Sequence, residues 1–182
     1  MSIFRASSYR SCNSIDSTQA DSRPRIHVFT LIYSVLIPLI VGSFSALLTM
    51  GDMQVYETLT RPPLPPPGWV FSVVWTVLYV LMGLASYFIL VSESDARAKT
   101  MAMVIYSMQL AMNFMWSILF FTCGLYLFAF IWLMIMWAMV IVCAFRFYSI
   151  NRTAAYLMIP YILWLTFAAY LNMGAYVLKL RA

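Results

Sequence analysis

A chain of 182 residues with 64% apolar and 9% charged side chains stands far from a soluble domain's usual half apolar and quarter charged. Its net charge of +5 is spread too thinly to form a basic nucleic-acid stripe, so nucleic acid is excluded as a partner. The apolar residues fall in long uninterrupted runs, which makes lipid the solvent that this sequence matches.

Residues 1–25 are Ser-rich and carry Arg5, Arg10, Arg23 and Arg25 against Asp16 and Asp21. No apolar run lies inside this segment, which argues against a signal peptide. Two readings fit it, a disordered cytoplasmic tail or an organelle transit peptide, and the two aspartates and weak apolar face favour the tail. Residues 26–182 read as one membrane domain.

The first span is expected over residues 26–50. Pro38 in its middle predicts a kink, tolerated in lipid where neighbours re-satisfy the freed carbonyl. Gly42 and Ala46, with Ser45 beside them, suit close contact with another helix. His27 reads as a solvated residue at the membrane edge. Residues 51–67 form the longest loop, with Asp52, Tyr56, Glu57 and Arg61 ahead of Pro62, Pro63, Pro65, Pro66 and Pro67. Proline fixes φ and removes a donor, and it pushes the preceding residue toward extended geometry. That predicts a stiff, preset lid. The second span, 68–91, follows directly; about 24 residues at 1.5 Å rise give roughly 36 Å, enough to cross a bilayer core.

Residues 92–100 are a short polar loop with Glu93, Asp95, Arg97 and Lys99. The third span is expected over 101–121 and the fourth over 125–145, with only residues 122–124 between them, so the two make a tight antiparallel hairpin. A polar stretch, 146–152, leads to the fifth span, 154–178, with Pro160 one turn in. The fold class is therefore an all-α integral membrane bundle of five helices. Lys and Arg number eight on the side of the N-terminus and three on the other. The positive-inside bias then predicts a cytoplasmic N-terminus and an outward-facing proline lid.

No acidic residue lies inside any span, which argues against a pump or channel. Nucleophile–base pairs, metal-ligand clusters and phosphate-cradling Gly loops are missing too, so hydrolase and metalloenzyme readings have no footing. Cys12, Cys123 and Cys143 are odd in number, lack metal spacing, and read as inert thiols. The spans instead carry aromatic, amide and hydroxyl groups at helical spacing. Gln109, Asn113, Trp116, Ser117 and Phe120 share one face of the third span. Pro160, Trp164, Ala168 and Asn172 recur every four residues in the fifth, and Ser72, Trp75, Tyr79 and Ser86 form a stripe in the second. Such groups are costly in lipid unless paired, so these stripes should face the bundle interior. They read either as interhelical glue, with Asn113 and Asn172 as a pair, or as an aromatic-walled pocket with polar tips. Spacing leaves both open.

Three ordered motifs carry a resemblance. Tyr56, Pro62 and Pro66-Pro67-Gly68-Trp69 lead to Trp75-Thr76-Val77-Leu78-Tyr79. Gln109-Leu110-Ala111-Met112-Asn113-Phe114-Met115-Trp116 follows, and then Ile159-Pro160-Tyr161-Ile162-Leu163-Trp164 through Leu171-Asn172. The chain from about residue 26 to 180 resembles the translocator protein family (TspO/MBR, the peripheral benzodiazepine receptor). The resemblance implies a five-helix bundle, often a homodimer, in a bacterial cell membrane or an organellar one. It implies binding of tetrapyrroles (porphyrin or haem), and in many members of sterols or drug-like molecules, with no required cofactor. By motif, Tyr56, Phe71, Ser72, Asn113, Ala168 and Leu171 match pocket positions. Trp75 and Trp164 match the tryptophans linked to light-driven porphyrin breakdown, which makes them the candidate catalytic residues. Ala46 and Phe128 are placed by gapless counting. Val55 and Leu64 depart from the usual loop aromatics, and Leu171, Tyr176 and Lys179 form a steroid-recognition-like pattern. The resemblance thus implies a translocator or sensor of apolar ligands, with a porphyrin-degrading activity and a stress-related scaffold as the alternatives.

Overall fold

The computed structural model describes residues 27–58 and 68–180, with side chains from 27–49 and 69–180. The tail and the proline lid lie outside the described residues. Five helical segments are long and apolar enough to cross a membrane: Val28–Thr49, Trp69–Leu90, Ala96–Thr122, Tyr126–Ile150 and Arg152–Lys179.

Helix α1 (Val28–Thr58) does not stop at Met50, where the first loop was expected to begin. Residues 51–58 contain no proline, so nothing in the chain breaks the helix before the run that starts at Pro62. Helix α2 spans Gly68–Leu90. The two meet antiparallel through their smallest residues. A Cβ on Gly42 would overlap the ring of Tyr79, and one on Gly83 would lie 2.6 Å from the Val35 Cα and 2.8 Å from the Ser34 carbonyl oxygen. Pro38 has no N–H to give Ser34, so Gly83 packs against the turn that the proline leaves short of a donor.

Asp95 caps α3 (Ala96–Ser117) by accepting from the Ala98 N–H at 3.1 Å, as short acidic side chains do at helix starts. A π-helical turn, Ile118–Thr122, ends it, and the chain reverses at Gly124, whose φ of 59° suits glycine. Helix α4 covers Tyr126–Ile150. Asn151 is extended and caps α5 (Arg152–Leu157) through the Ala154 N–H at 3.1 Å. The helix breaks at Met158 and resumes as α6 (Ile159–Lys179) with Pro160 in its first turn, where a missing donor costs nothing.

The helices close a ring in the order α1, α2, α5 with α6, α4, α3. At the end that carries the first loop, Lys179 Nζ donates to the Gly124 carbonyl at 3.1 Å and lies 5.0 Å from the Tyr126 ring centre, clasping α6 to the α3–α4 turn. Met82, Ile89, Leu133, Met136, Phe147 and Tyr161 fill the interior without exposure. In lipid this packing works through dispersion and hydrogen bonds rather than through expulsion of water.

Candidate functional site

The close approach of α1 and α2 leaves a cleft of about 190 Å³ toward the end of the bundle that carries the first loop. Leu39, Ala46 and Thr49 line it from α1, Phe71, Ser72 and Trp75 from α2, and Ser117 and Phe121 from the end of the third span. Its two threonine hydroxyls are committed to their own helices: Thr49 donates to the Ser45 carbonyl at 3.0 Å and Thr76 to that of Ser72 at 2.8 Å. The buried Ser45 hydroxyl has no partner among the described residues.

Phe71 and Trp75 form the wall between this cleft and the bundle interior. Trp75 stacks on Tyr79 at 5.5 Å and meets Tyr161 edge-on at 6.2 Å. Phe71 meets Trp164 edge-on at 5.7 Å. Below the wall, the Tyr79 hydroxyl donates to Asn113 Oδ1 at 2.9 Å, and Asn113 Nδ2 donates to the Tyr161 hydroxyl at 2.9 Å. Tyr161 in turn points its hydroxyl at Met136 Sδ, 3.9 Å away. A second amide, Gln109, is fully buried and gives its N–H to Met82 Sδ at 3.8 Å. The interior retains orphan polar groups near the wall and along α6. The indole N–H groups of Trp116 and Trp164 and both amide atoms of Asn172 are buried without a hydrogen-bond partner among the described residues. Unpaired polar groups in a low-dielectric interior are costly, and these three residues lie outside the lining of the cleft.

The structure brings Ala46, Phe71, Ser72 and Trp75 together on the cleft, with Trp164 behind Phe71. It places Asn113 elsewhere: the amide is hydrogen-bonded to two tyrosines, and its partner is not Asn172. Ala168 and Leu171 are buried on α6. Phe128 is 49% exposed and lines a separate recess with Tyr176 and Lys179 at the α4–α6 end. Tyr56 falls on the last turns of α1, outside the described side chains.

Two further points depart from expectation. The inward face of α6 runs Tyr161, Leu165, Ala168, Asn172, Ala175, while Pro160 is exposed. A strict spacing of four drifts by about 40° per step on a helix, so the stripe drawn from Pro160 leaves the buried face. Tyr161 sits inside a quoted motif, yet its role as an acceptor for Asn113 carried no sequence signal beyond its three-residue offset from Trp164. In the C-terminal pattern, the Lys179 amine is held by the chain's own Gly124 carbonyl.

The sequence profile of the TspO/MBR family matches residues 34–178, most of the chain and all five spans. The chain belongs to the TspO/MBR family. Its relatives include the tryptophan-rich protein TspO of Chlorobaculum tepidum, 30% identical over 80% of this chain and 92% of the relative. The tryptophan-rich sensory protein of Cereibacter sphaeroides is 35% identical over 66% of this chain and 73% of its own. The translocator protein of Bos taurus is 32% identical over 75% of this chain and 82% of its own.

Proposed function

We propose that this chain is a membrane-embedded binding protein for tetrapyrroles, porphyrin or haem, and for related apolar ligands such as sterols, which it carries or senses. The observation that supports this best is the Phe71–Trp75 wall, which presents aromatic surface to the cleft and has Trp164 edge-on behind it. Flat conjugated ligands gain from such surfaces through stacking, and Ser72 and Ser117 put hydroxyls on the cleft for carboxylate or carbonyl edges. Porphyrin or haem is the cargo in this reading, and no other cofactor is needed. Ala46, Tyr56, Phe71, Ser72, Trp75, Asn113, Phe128, Trp164, Ala168 and Leu171 remain the proposed ligand set. Within it, Asn113 supports the wall through Tyr79, and Phe128 stands apart. The names of the relatives, sensory protein and translocator protein, accord with sensing or carriage by this chain.

The eight-to-three Lys and Arg asymmetry supports a cytoplasmic N-terminus, which puts the cleft near the outer leaflet of a bacterial cell membrane or the equivalent face of an organellar one. A homodimer is the proposed assembly. A second reading, light-driven porphyrin breakdown, is favoured by Trp75 stacking on Tyr79 and touching Tyr161, three oxidisable rings in series behind the ligand wall.

A titration of the purified protein with protoporphyrin IX, dark and illuminated, separates the readings. Saturable dark binding without bleaching products supports carriage or sensing. Protein-dependent products whose yield per bound ligand falls in Trp164→Phe and Trp75→Phe support the chemistry. Absence of saturable binding overturns both.

A further inference from the structure

At the end of the bundle opposite the cleft, α4 packs against the α5–α6 pair. Asn151 ends α4 in an extended conformation, and the helix is interrupted at Met158 ahead of Pro160. Between them runs a groove of about 250 Å³ on the outer face, walled by Ile141, Ala144, Phe145 and Tyr148 of α4 and by Tyr156 and Ile162 across from them. The walls are almost wholly apolar except at the end nearest water. There Tyr148 and Tyr156 meet edge to face at 6.3 Å, and the Arg152 guanidinium lies 5.4 Å from the Tyr148 ring centre.

The charge above the groove is one-sided. From Arg146 to Arg152 the chain holds two arginines and no carboxylate, and Arg152 meets no acidic partner among the described residues. An unneutralised guanidinium at the mouth of an apolar trough, with two tyrosines at the boundary, has the make-up of a site for a molecule with an anionic head and a hydrocarbon tail. A bilayer supplies that chemistry as its own constituent.

We propose that this groove binds an anionic phospholipid, with one acyl chain between α4 and α6 and the phosphate on the Arg152 guanidinium. The guanidinium fork matches phosphate oxygens in a way that a point charge does not, and its place over Tyr148 already orders it. Arg146 provides an internal contrast. It follows Phe145 by one residue, about 100° around the helix, and so turns away from the face that Phe145 and Tyr148 present to the groove.

Native mass spectrometry of the full chain in detergent, with phosphatidylglycerol and phosphatidylcholine of matched chains as probes, tests this. The parent should retain one phosphatidylglycerol per chain in preference to phosphatidylcholine. Arg152→Gln, at an exposed first-turn position, should reduce phosphatidylglycerol retention roughly tenfold, the scale of a charge-assisted hydrogen bond. Arg152→Lys should fall between the two, and Arg146→Gln should stay within about twofold of the parent. Ala144→Phe, which fills the groove, should lower retention of both lipids while the melting temperature holds. No preference in the parent, or equal loss in Arg146→Gln and Arg152→Gln, would overturn the proposal in favour of diffuse surface charge. Competition by glycerol-3-phosphate as effective as that by the lipid would also overturn it, because the groove would then contribute nothing.

Discussion

The Tyr79 hydroxyl donates to Asn113 Oδ1 at 2.9 Å, and that bond ties α2, which carries the ligand wall, to α3 in the bundle centre. Asn113 is 1% exposed and also donates to Tyr161 on α6, so one amide joins three helices. Removing the amide strands the Tyr79 hydroxyl and leaves Tyr161 only its weak contact to Met136 Sδ, whereas removing the Tyr79 hydroxyl leaves only the Asn113 carbonyl oxygen without its donor. Tyr79→Phe should therefore lower stability by only about 0.5–1 kcal/mol, near the mean for interhelical hydrogen bonds in membranes. Asn113→Ala should lower it by roughly 2–4 kcal/mol, as expected for stranded buried polar groups plus a cavity. Thermal unfolding in detergent checks this ranking, and equal losses would show that the tyrosines re-pair elsewhere.

Gly42 holds the ring of Tyr79 against the backbone of α1, at a spot where a Cβ has no room. Gly42→Ala is expected to destabilise the protein by about 1–3 kcal/mol, the usual range for overpacking. In a cycle with Tyr79→Ala the two changes should couple by more than about 0.5 kcal/mol, because the smaller side chain removes the overlap. Additive losses in the cycle would place the strain somewhere other than this contact.

Much of this architecture is legible in the residues. Chargeless runs between polar stretches mark five spans, and of the face carrying Gln109, Asn113, Trp116, Ser117 and Phe120 all but the half-buried Ser117 are buried, on α3 and the π-helical turn that follows it. The partners of those groups are not legible. Nothing along the chain says that Asn113 meets Tyr79 and Tyr161 rather than Asn172, because helix–helix register depends on where glycines such as Gly42 and Gly83 admit a neighbour. Gapless counting likewise put Phe128 in the ligand set. Phe128 lines a recess with Tyr176 and Lys179, just after the π-helical turn at Ile118–Thr122 and the reversal at Gly124.

The clasp at that end is testable by itself. Lys179→Met removes the donor to the Gly124 carbonyl, and Gly124→Ala forces a side chain onto a φ of 59°. The first should cost about 0.5–1.5 kcal/mol, the net worth of a hydrogen bond. The second should cost about 1–2 kcal/mol, the penalty for a left-handed residue with a Cβ. Urea or thermal unfolding reads both, and Gly124→Asn should be the milder replacement.

Orientation has a reporter already in the chain. Cys123 is exposed in the α3–α4 turn, at the cleft end of the bundle, whereas Cys143 is buried. In intact cells with Cys12 replaced by Ser, an impermeant maleimide should label Cys123 from outside and spare Cys143. Labelling of Cys123 only after permeabilisation would reverse the proposed orientation.

A dark titration of the purified parent and Ala46→Trp with protoporphyrin IX most directly tests the claim that the Phe71–Trp75 wall receives the ligand. Ala46 is exposed on the cleft, so a tryptophan there fills the space in front of the wall without entering the core. The account predicts saturable binding of one porphyrin per parent chain. In the variant the affinity should fall by about two- to tenfold, the worth of one aromatic stacking contact, at an unchanged melting temperature. Equal affinity in parent and variant, or uptake that rises with detergent volume and never saturates, would contradict it.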